Sequence, residues 1–288
     1  MQAGHEILDG SGHIVQAVYR VEVVPDDLSS EYSLQVARYS FNLAQTGLNE
    51  TYSHAFTLPG RIGADGDVFG QITNETFACG TVINWVEVVN VKPTPVVATV
   101  TFRSASGATL GSAMDTIPGH GQLHYYAGSV LPAGQIGTVQ VSSTVLESII
   151  AESLVYIADC DTNGLQTAYL TRLYRPGLIA QSGSANSFIG MDNLLRVVST
   201  TGALNLINWN LISYIGEQSN GNFNVGALGT TGLSFTNNPD VNFPANRYGI
   251  FTLTSDAASE FVAETLRVRL VSERGKIRHD FVLPTVVR

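Results

Sequence analysis

Apolar and polar residues alternate along most of this chain with a period of two, which predicts β-strands. Residues 13–24 (HIVQAVYRVEVV) and 32–44 (YSLQVARYSFNLA) show this alternation on either side of Pro25-Asp26-Asp27, so we expect them to form a hairpin. Short strands with turn signals roughly every 8–12 residues follow, as in β-sandwiches. Residues 255–266 are the best helical candidate, but the matching earlier segment is rich in β-branched residues, and we predict a strand there too.

One stretch of the chain occurs twice. Residues 137–156 (GTVQVSSTVLESIIAESLVY) align without gaps onto residues 249–268 (GIFTLTSDAASEFVAETLRV), 112 positions later. Glycine aligns with glycine at the first position, and Ala-Glu aligns with Ala-Glu near the end. A period this long indicates duplicated domains and not a short solenoid repeat.

The repeat sets the predicted organisation of the chain. We predict an all-β protein of two tandem antiparallel β-sandwiches of immunoglobulin-like type, preceded by an extra N-terminal hairpin. The predicted hairpin segment spans residues 1–45, the first sandwich 46–176 and the second 177–288. Each sandwich should close on a hairpin, and the stretch 175–187 (RPGLIAQSGSANS) is poor in apolar residues and is predicted to be a linker.

This arrangement resembles the β-sandwich modules, of immunoglobulin or fibronectin type, that repeat in bacterial extracellular surface proteins. The residues that carry the resemblance are the G-x-V-x-V-x-S strand and the "V-A-E" strands at 150–152 and 262–264, within about 75–160 and, more loosely, 188–270. It implies a surface or secreted setting and brings no catalytic residues. The glutamate of the motif is either a functional carboxylate or a recurrent strand-edge residue with a structural contact.

The composition of the chain bears on its cellular location and on the classes of partner that it can bind. Only 14% of the 288 residues are charged, against a typical quarter, and Ser, Thr, Asn, Gln and Gly take their place. The net charge of −9 argues against nucleic acid as a partner. No apolar run is long enough to predict a membrane span. The N-terminus lacks the basic start and apolar core of a signal peptide, and we expect a mature or excised piece of an extracellular protein.

Two isolated features suggest covalent or metal chemistry. Cys79 and Cys160 are the two cysteines, and they form either a disulfide or two buried thiols. Asp159, Asp161 and Asn163 place oxygen ligands at alternate positions, as a calcium loop does, but Leu170 stands where an EF-hand needs glutamate. Because Asn-Gly also favours a plain hairpin turn, calcium and a turn are both open interpretations, and no other cofactor is expected.

No catalytic fingerprint such as G-x-S-x-G, a P-loop or H-E-x-x-H occurs, and we predict that the chain is not an enzyme. Aromatic residues offer the other candidate chemistry. Trp85, Trp209 and the pair Tyr125-Tyr126 could stack on a sugar, or they could pack in the core.

The two ends of the chain carry opposite charge. The acidic residues near the start include Glu22, Asp26, Asp27 and Glu31, and the basic ones near the end include Arg267, Arg269, Lys276 and Arg278. Chance distribution on solvated strands explains this polarity, and so does an acidic head that meets the basic tail of the next copy.

These features favour a structural role. We predict a subunit or stalk segment of an extracellular filament, surface layer or adhesin, which assembles head to tail with copies of itself by donating its N-terminal strands. The alternative is a secreted carbohydrate-binding module, with the ligand held by loops 216–229 and 236–246. Exposed aromatic residues there would favour it, and the sequence offers mainly Phe223, Phe235 and Phe243. A hydrolase is the third hypothesis.

Overall fold

The structure is a computed structural model of the chain. Its backbone is described for residues 2–8, 14–20, 35–41, 52–59, 63–77, 80–158, 165–177, 180–235, 238, 241, 243–256, 259–273 and 276–286. Within these ranges, side chains are described for residues 63–76, 81–157, 168–177, 180–235, 238, 241, 243–256 and 259–269.

The described backbone is almost entirely β-strand, with two single 3-10 turns and no α-helix, and the all-β prediction is confirmed. The strands are β1 (Gln2–Leu8), β2 (Ile14–Arg20), β3 (Gln35–Phe41), β4 (Tyr52–Pro59), β5 (Val68–Asn74), β6 (Thr76–Phe77), β7 (Gly80–Asn90), β8 (Val96–Ser104), β9 (Thr109–Ile117), β10 (Gln122–Tyr126), β11 (Gln135–Ser143), β12 (Ile149–Ala158), β13 (Leu165–Arg172), β14 (Ala180–Asn186), β15 (Met191–Ser199), β16 (Asn205–Ser213), β17 (Gln218–Val225), β18 (Thr230–Ser234), β19 (Tyr248–Ser255), β20 (Phe261–Glu273) and β21 (Lys276–Val286).

Two sandwiches with the same strand order follow one another along the chain. In the first, the sheet β5-β11-β8-β9 faces the sheet β10-β7-β12-β13; in the second, β14-β19-β16-β17 faces β18-β15-β20-β21. Each has its own apolar core, built around Ile72 and Val139 in the first and around Leu195 and Phe251 in the second. The duplication therefore covers eight strands and not only the repeated stretch. The order differs from the A-B-E-D and C-F-G sheets of an immunoglobulin domain.

The predicted N-terminal hairpin is wrong in its pairing. Both alternating runs form strands, but β2 pairs with β1 and β3 pairs with β4. Alternation predicts a strand without naming its partner. The connection from β1 to β2 is a short Asp-Gly-Ser-Gly-His segment, which is a stronger hairpin signal than the 14 residues between β2 and β3.

The predicted linker is also partly wrong, because its second half is the strand β14, which pairs with β19. Its composition has a packing reason. A Cβ atom at Gly183 would lie 2.5 Å from the ring of Phe251, so the strand needs a residue without a side chain at that position.

The two sandwiches are joined by buried apolar contacts. Val82, Val155 and Ile157 of the first sandwich form one cluster with Leu266 and Val268 of the second. A second cluster joins Phe69 of the first to Val198 and Val262 of the second. Burial on this scale opposes independent motion of the two sandwiches.

A buried charged group lies inside this junction. Arg196 on β15 and Glu264 on β20 are directly paired across the sheet, with Nη1 and Oε1 3.5 Å apart. The Arg196 Nη2 also donates a hydrogen bond to the hydroxyl of Tyr169 in the first sandwich, at 3.1 Å. Burial raises the pKa of Glu264, and the charge of Arg196 opposes that effect. The motif glutamate of the second repeat is thus an interior junction residue and not a strand-edge one.

Hydrogen bonds of backbone and side-chain groups complete the junction. The β8–β9 turn (residues 104–108), which we call the first tip turn, lies against the β17–β18 loop (residues 226–229), the second base loop. Thr230 donates its N–H to the carbonyl of Ala105 at 2.9 Å, and the Thr138 hydroxyl donates to the carbonyl of Leu228 at 3.0 Å. The side-chain amide of Gln71 donates to the hydroxyl of Thr230 at 2.9 Å.

We expect Arg196→Met to lower the free energy of unfolding by about 3–5 kcal/mol at pH 7, because it leaves the Glu264 carboxylate buried without a cation. Arg196→Met/Glu264→Leu should recover most of that loss, since both charges are gone. Chemical denaturation measures both values.

Arg175→Ala is the matched control, because its ion pair with Asp65 is half exposed and should contribute less than about 1 kcal/mol. A double variant as unstable as Arg196→Met would contradict the role assigned to the buried charges.

Candidate functional site

Most of the predicted site residues lie outside the described part of the structure. The set comprises the predicted calcium ligands Asp159, Asp161 and Asn163, the cysteines Cys79 and Cys160, and the acidic residues Glu22, Asp26, Asp27 and Glu31. Lys276 and Arg278 lie on β21, where the backbone alone is described. The calcium, disulfide and acidic-head hypotheses therefore remain predictions.

Arg267 and Arg269 are the predicted assembly residues whose side chains the structure describes. The Arg267 Nη2 donates to the backbone carbonyl of Ser184 at 3.2 Å and to the hydroxyl of the same residue. Its Nε is buried and has no hydrogen-bond partner among the described residues, and burial lowers the pKa of the guanidinium. Arg267 and Arg269 occupy the positions of Val155 and Ile157 in the duplicated strand, which are among the residues with which the first sandwich contacts the second.

The aromatic residues expected to hold a carbohydrate are placed differently. Phe235 and Phe243 are buried in the core of the second sandwich, and Phe223 packs against that core. Trp209 is also a core residue, whereas Trp85 lies beside Tyr126, with ring centroids 5.2 Å apart. The loop phenylalanines therefore do not form an exposed stacking surface.

An exposed apolar surface occurs instead at one end of the second sandwich. The rings of Tyr214 and Tyr248 are stacked with centroids 4.3 Å apart, and Phe188 lies 6.3 Å from Tyr248. Ile215 and Ile250 beside them are 52% and 64% exposed, values that are unusual for isoleucine. We call this surface the tip patch: Phe188, Ile189, Tyr214, Ile215, Tyr248 and Ile250.

The repeat alignment predicts that two of these residues, Tyr248 and Ile250, point outward. Val139 and Val141 point into the first core, and in the second copy they become Phe251 and Leu253. Strand alternation then directs Tyr248 and Ile250 outward. Tyr214 and Ile215 lie in a turn, so strand alternation does not predict their exposure.

A polar surface adjoins the tip patch on the outer face of the sheet β14-β19-β16-β17. Its side chains form a shallow depression of about 500 Å³. Pairing across the strands places Asn208 opposite Asn222, and Asn210 opposite Asn220 and Thr252. We call this the amide groove: Asn208, Asn210, Asn220, Asn222, Thr252 and Thr254. Amide and hydroxyl groups without charge both donate and accept hydrogen bonds, which suits a neutral polyhydroxyl ligand.

The first sandwich does not repeat the amide groove. Thr101 pairs with Ser112 where Asn210 pairs with Asn220, and Thr99 pairs with Met114 where Asn208 pairs with Asn222. The side chains at these positions point away from the core in both sandwiches, so core packing does not require asparagine in the second. The asparagines are therefore better evidence of a binding surface.

The tip turn occurs twice with the same backbone. Gly107 has φ +88° in the first tip turn, and Gly216 has φ +86° in the second (residues 213–217). In both turns this glycine donates its N–H, at 2.9 Å, to the carbonyl of the turn's first residue, Ser104 or Ser213. A Cβ at Gly107 would lie 1.8 Å from the Ala227 carbonyl oxygen, whereas one at Gly216 would meet nothing within 4 Å. The same turn is therefore docked in one sandwich and open in the other.

Within the described residues, no group of three or more His, Cys, Asp or Glu side chains could hold a metal ion. The described part also contains no helix that is long and apolar enough to cross a membrane.

No family model matches the chain, and no curated protein matches it. Solved structures of β-glucuronidase from Ruminococcus gnavus are similar at 14% identity over 91% of this chain and 49% of that one, with a TM-score of 0.20. The complex of that enzyme with uronic deoxynojirimycin gives 12% identity, 90% and 46% coverage, and a TM-score of 0.19. The chain spans about half the length of these structures. A likeness at this level carries no argument about fold or function.

We expect Gly216→Ala to lower the free energy of unfolding by about 1–2 kcal/mol, the cost of a left-handed non-glycine residue. Gly107→Ala should cost about 1–3 kcal/mol more, because its Cβ also collides with the second base loop. Chemical denaturation of the two variants measures the difference. Equal losses would show that the first tip turn does not dock against residue 227.

Proposed function

We propose that the chain is a structural segment of an extracellular stalk, filament or adhesin that assembles head to tail with copies of itself. The observation that carries the proposal is the junction, in which two copies of one sandwich share buried apolar clusters and a hydrogen bond from the buried Arg196 to Tyr169. A contact of this kind keeps two domains in one fixed arrangement, as a load-bearing or spacing element requires.

The manner of assembly is part of the same proposal. A contact between different surfaces of identical subunits propagates when it does not close on itself, and it then produces a filament. The chain already contains one such contact internally, between the tip of its first sandwich and the base of its second. The opposite charges of the chain ends and strand donation by residues 1–45 are the predicted means of extending it from copy to copy.

Deletion of residues 1–45 should abolish the assembly of the purified chain, because it removes the strands predicted to complete a neighbour. Negative-stain electron microscopy and sedimentation of the intact and shortened chains, over a range of salt concentrations, measure this. Filaments of the intact chain should weaken as salt rises.

The quadruple variant Glu22→Gln/Asp26→Asn/Asp27→Asn/Glu31→Gln is the control for charge alone, since it removes four acidic charges and keeps residues 1–45. Polymers of normal length from the shortened chain would refute strand donation.

Carbohydrate binding is the second candidate, and the amide groove is the observation that favours it. Six uncharged amide and hydroxyl side chains line the depression, next to the stacked rings of Tyr214 and Tyr248. Carbohydrate sites combine such hydrogen-bonding groups with an aromatic surface against which a sugar ring packs. An adhesin would use both activities, because its stalk presents a binding surface to the host or substrate.

We expect Asn210→Ala/Asn220→Ala to weaken binding of neutral oligosaccharides at least tenfold, because each substitution removes a donor and an acceptor from the groove. A glycan array followed by calorimetry measures the affinity. Thr101→Ala/Ser112→Ala, at the same positions of the first sandwich, is the matched control and should change nothing. Absence of glycan binding by the unmodified chain would eliminate this candidate.

A further inference from the structure

The second sandwich repeats the surface with which the first sandwich contacts its neighbour. That surface of the first includes the tip turn and Val82, Val155 and Ile157. The corresponding surface of the second consists of the second tip turn and of Met191, Arg267 and Arg269. The first is buried in the junction, whereas the second has no sandwich after it among the described residues.

The second tip turn has larger apolar residues than the first. The first tip turn has the small residues Ala105 and Ser106, whereas the second has Tyr214 and Ile215, which are 51% and 52% exposed. With Phe188, Ile189, Tyr248 and Ile250 they form the continuous tip patch. Exposed apolar patches of this kind mark contacts with another molecule.

The opposite end of the first sandwich offers a matching surface. In the junction, the first tip turn docks against the second base loop. The first sandwich has the same loop at residues 118–121, the first base loop. There the Gly121 N–H donates to the carbonyl of Pro118 at 2.9 Å, as Gly229 does to Gly226, and His120 has φ 58° where Leu228 has φ 54°.

The base of the first sandwich also has exposed apolar residues. Val145 and Leu146 are 43% and 64% exposed. Lys92 connects them to the first base loop, since its carbonyl accepts the His120 N–H at 2.9 Å and its Nζ lies 3.9 Å from Glu147. We call residues 92–95, 118–121 and 145–147 the base end.

Charge complementarity supports contact between these two surfaces. The second sandwich has Arg267 and Arg269 where the first has Val155 and Ile157. The base end contains Glu147, whose side chain is 62% exposed although the Lys92 Nζ of the same end lies 3.9 Å away. The two arginines and this exposed carboxylate attract and orient each other during association.

We propose that the tip patch and the second tip turn bind the base end of the first sandwich of a second copy of this chain. This inference rests on the head-to-tail assembly proposed above, and it names the two surfaces that meet. The proposed contact reproduces only part of the internal junction. Leu266 contributes a sheet face to that junction, but its counterpart in the first sandwich, Leu154, is already buried, at 3% exposed. A second copy therefore presents its base end, which includes the first base loop.

Three double variants of the full chain test the proposal by sedimentation velocity and electron microscopy. The tip variant is Tyr214→Ser/Ile215→Ser, and the base variant is Val145→Ser/Leu146→Ser. The control is Met114→Ser/Leu204→Ser, which removes apolar side chains that are 71% and 63% exposed and belong to neither surface. All six residues are exposed, so each variant should retain its folded state.

The tip and base variants should each require at least tenfold more protein to form polymers, and the control should assemble as the unmodified chain does. A mixture of the tip and base variants should stop at one-to-one dimers, because one intact surface of each kind remains. Gly216→Ala should also hinder assembly, since Gly216 corresponds to Gly107, at which a Cβ would collide with the Ala227 carbonyl in the internal junction.

Other outcomes separate the two proposals. Normal polymers from the tip variant would overturn this inference and leave head-to-tail assembly standing. Loss of glycan binding by the tip variant, with polymers intact, would assign the patch to carbohydrate and also overturn it. Monodisperse particles of the unmodified chain under every condition would overturn both proposals.

Discussion

The buried hydrogen bond from Arg196, whose charge Glu264 balances, to Tyr169 is the interaction on which the arrangement of the two sandwiches depends. Arg196 and Glu264 lie on inner strands of the second sandwich, and Arg196 reaches the first sandwich through Tyr169. Arg196 and Glu264 stay paired within their own sheet, but a shift of the first sandwich would remove the Tyr169 hydroxyl from the buried guanidinium. The apolar clusters supply the free energy of the junction, and the hydrogen bond from Arg196 to Tyr169 restricts its geometry.

The duplicated sandwiches keep the same inward and outward positions, although the residues at those positions differ. Val139 and Phe251 differ in size yet occupy the same inward position. Outside the core, the docked tip turn has small residues where its open counterpart has Tyr214 and Ile215. Position in the assembly, and not the fold, distinguishes the two copies.

Much of the architecture could be predicted from the sequence. Alternation with a period of two identifies the strands, the repeat identifies the duplication, and the hairpins β12–β13 and β20–β21 follow from short connections. Strand partners beyond a short turn could not be predicted, as β2 and β3 show. The prediction that the small residues around Gly183 form a linker is wrong. Gly183 lies in a strand, where the absence of a side chain makes room for the Phe251 ring. The exposure of Tyr214 depends on which end of a sandwich is covered, and no local pattern contains that information.

The outward-facing residues of β16 and β17 have a consequence for how such a protein can change over generations. Asn208, Asn210, Asn220 and Asn222 point away from the core, and their alternate neighbours alone hold the sheets together. Substitutions at these four positions leave the frame intact, as Thr99, Thr101, Ser112 and Met114 of the first copy demonstrate. A few mutations can therefore change the surface chemistry of this scaffold while each intermediate sequence still folds.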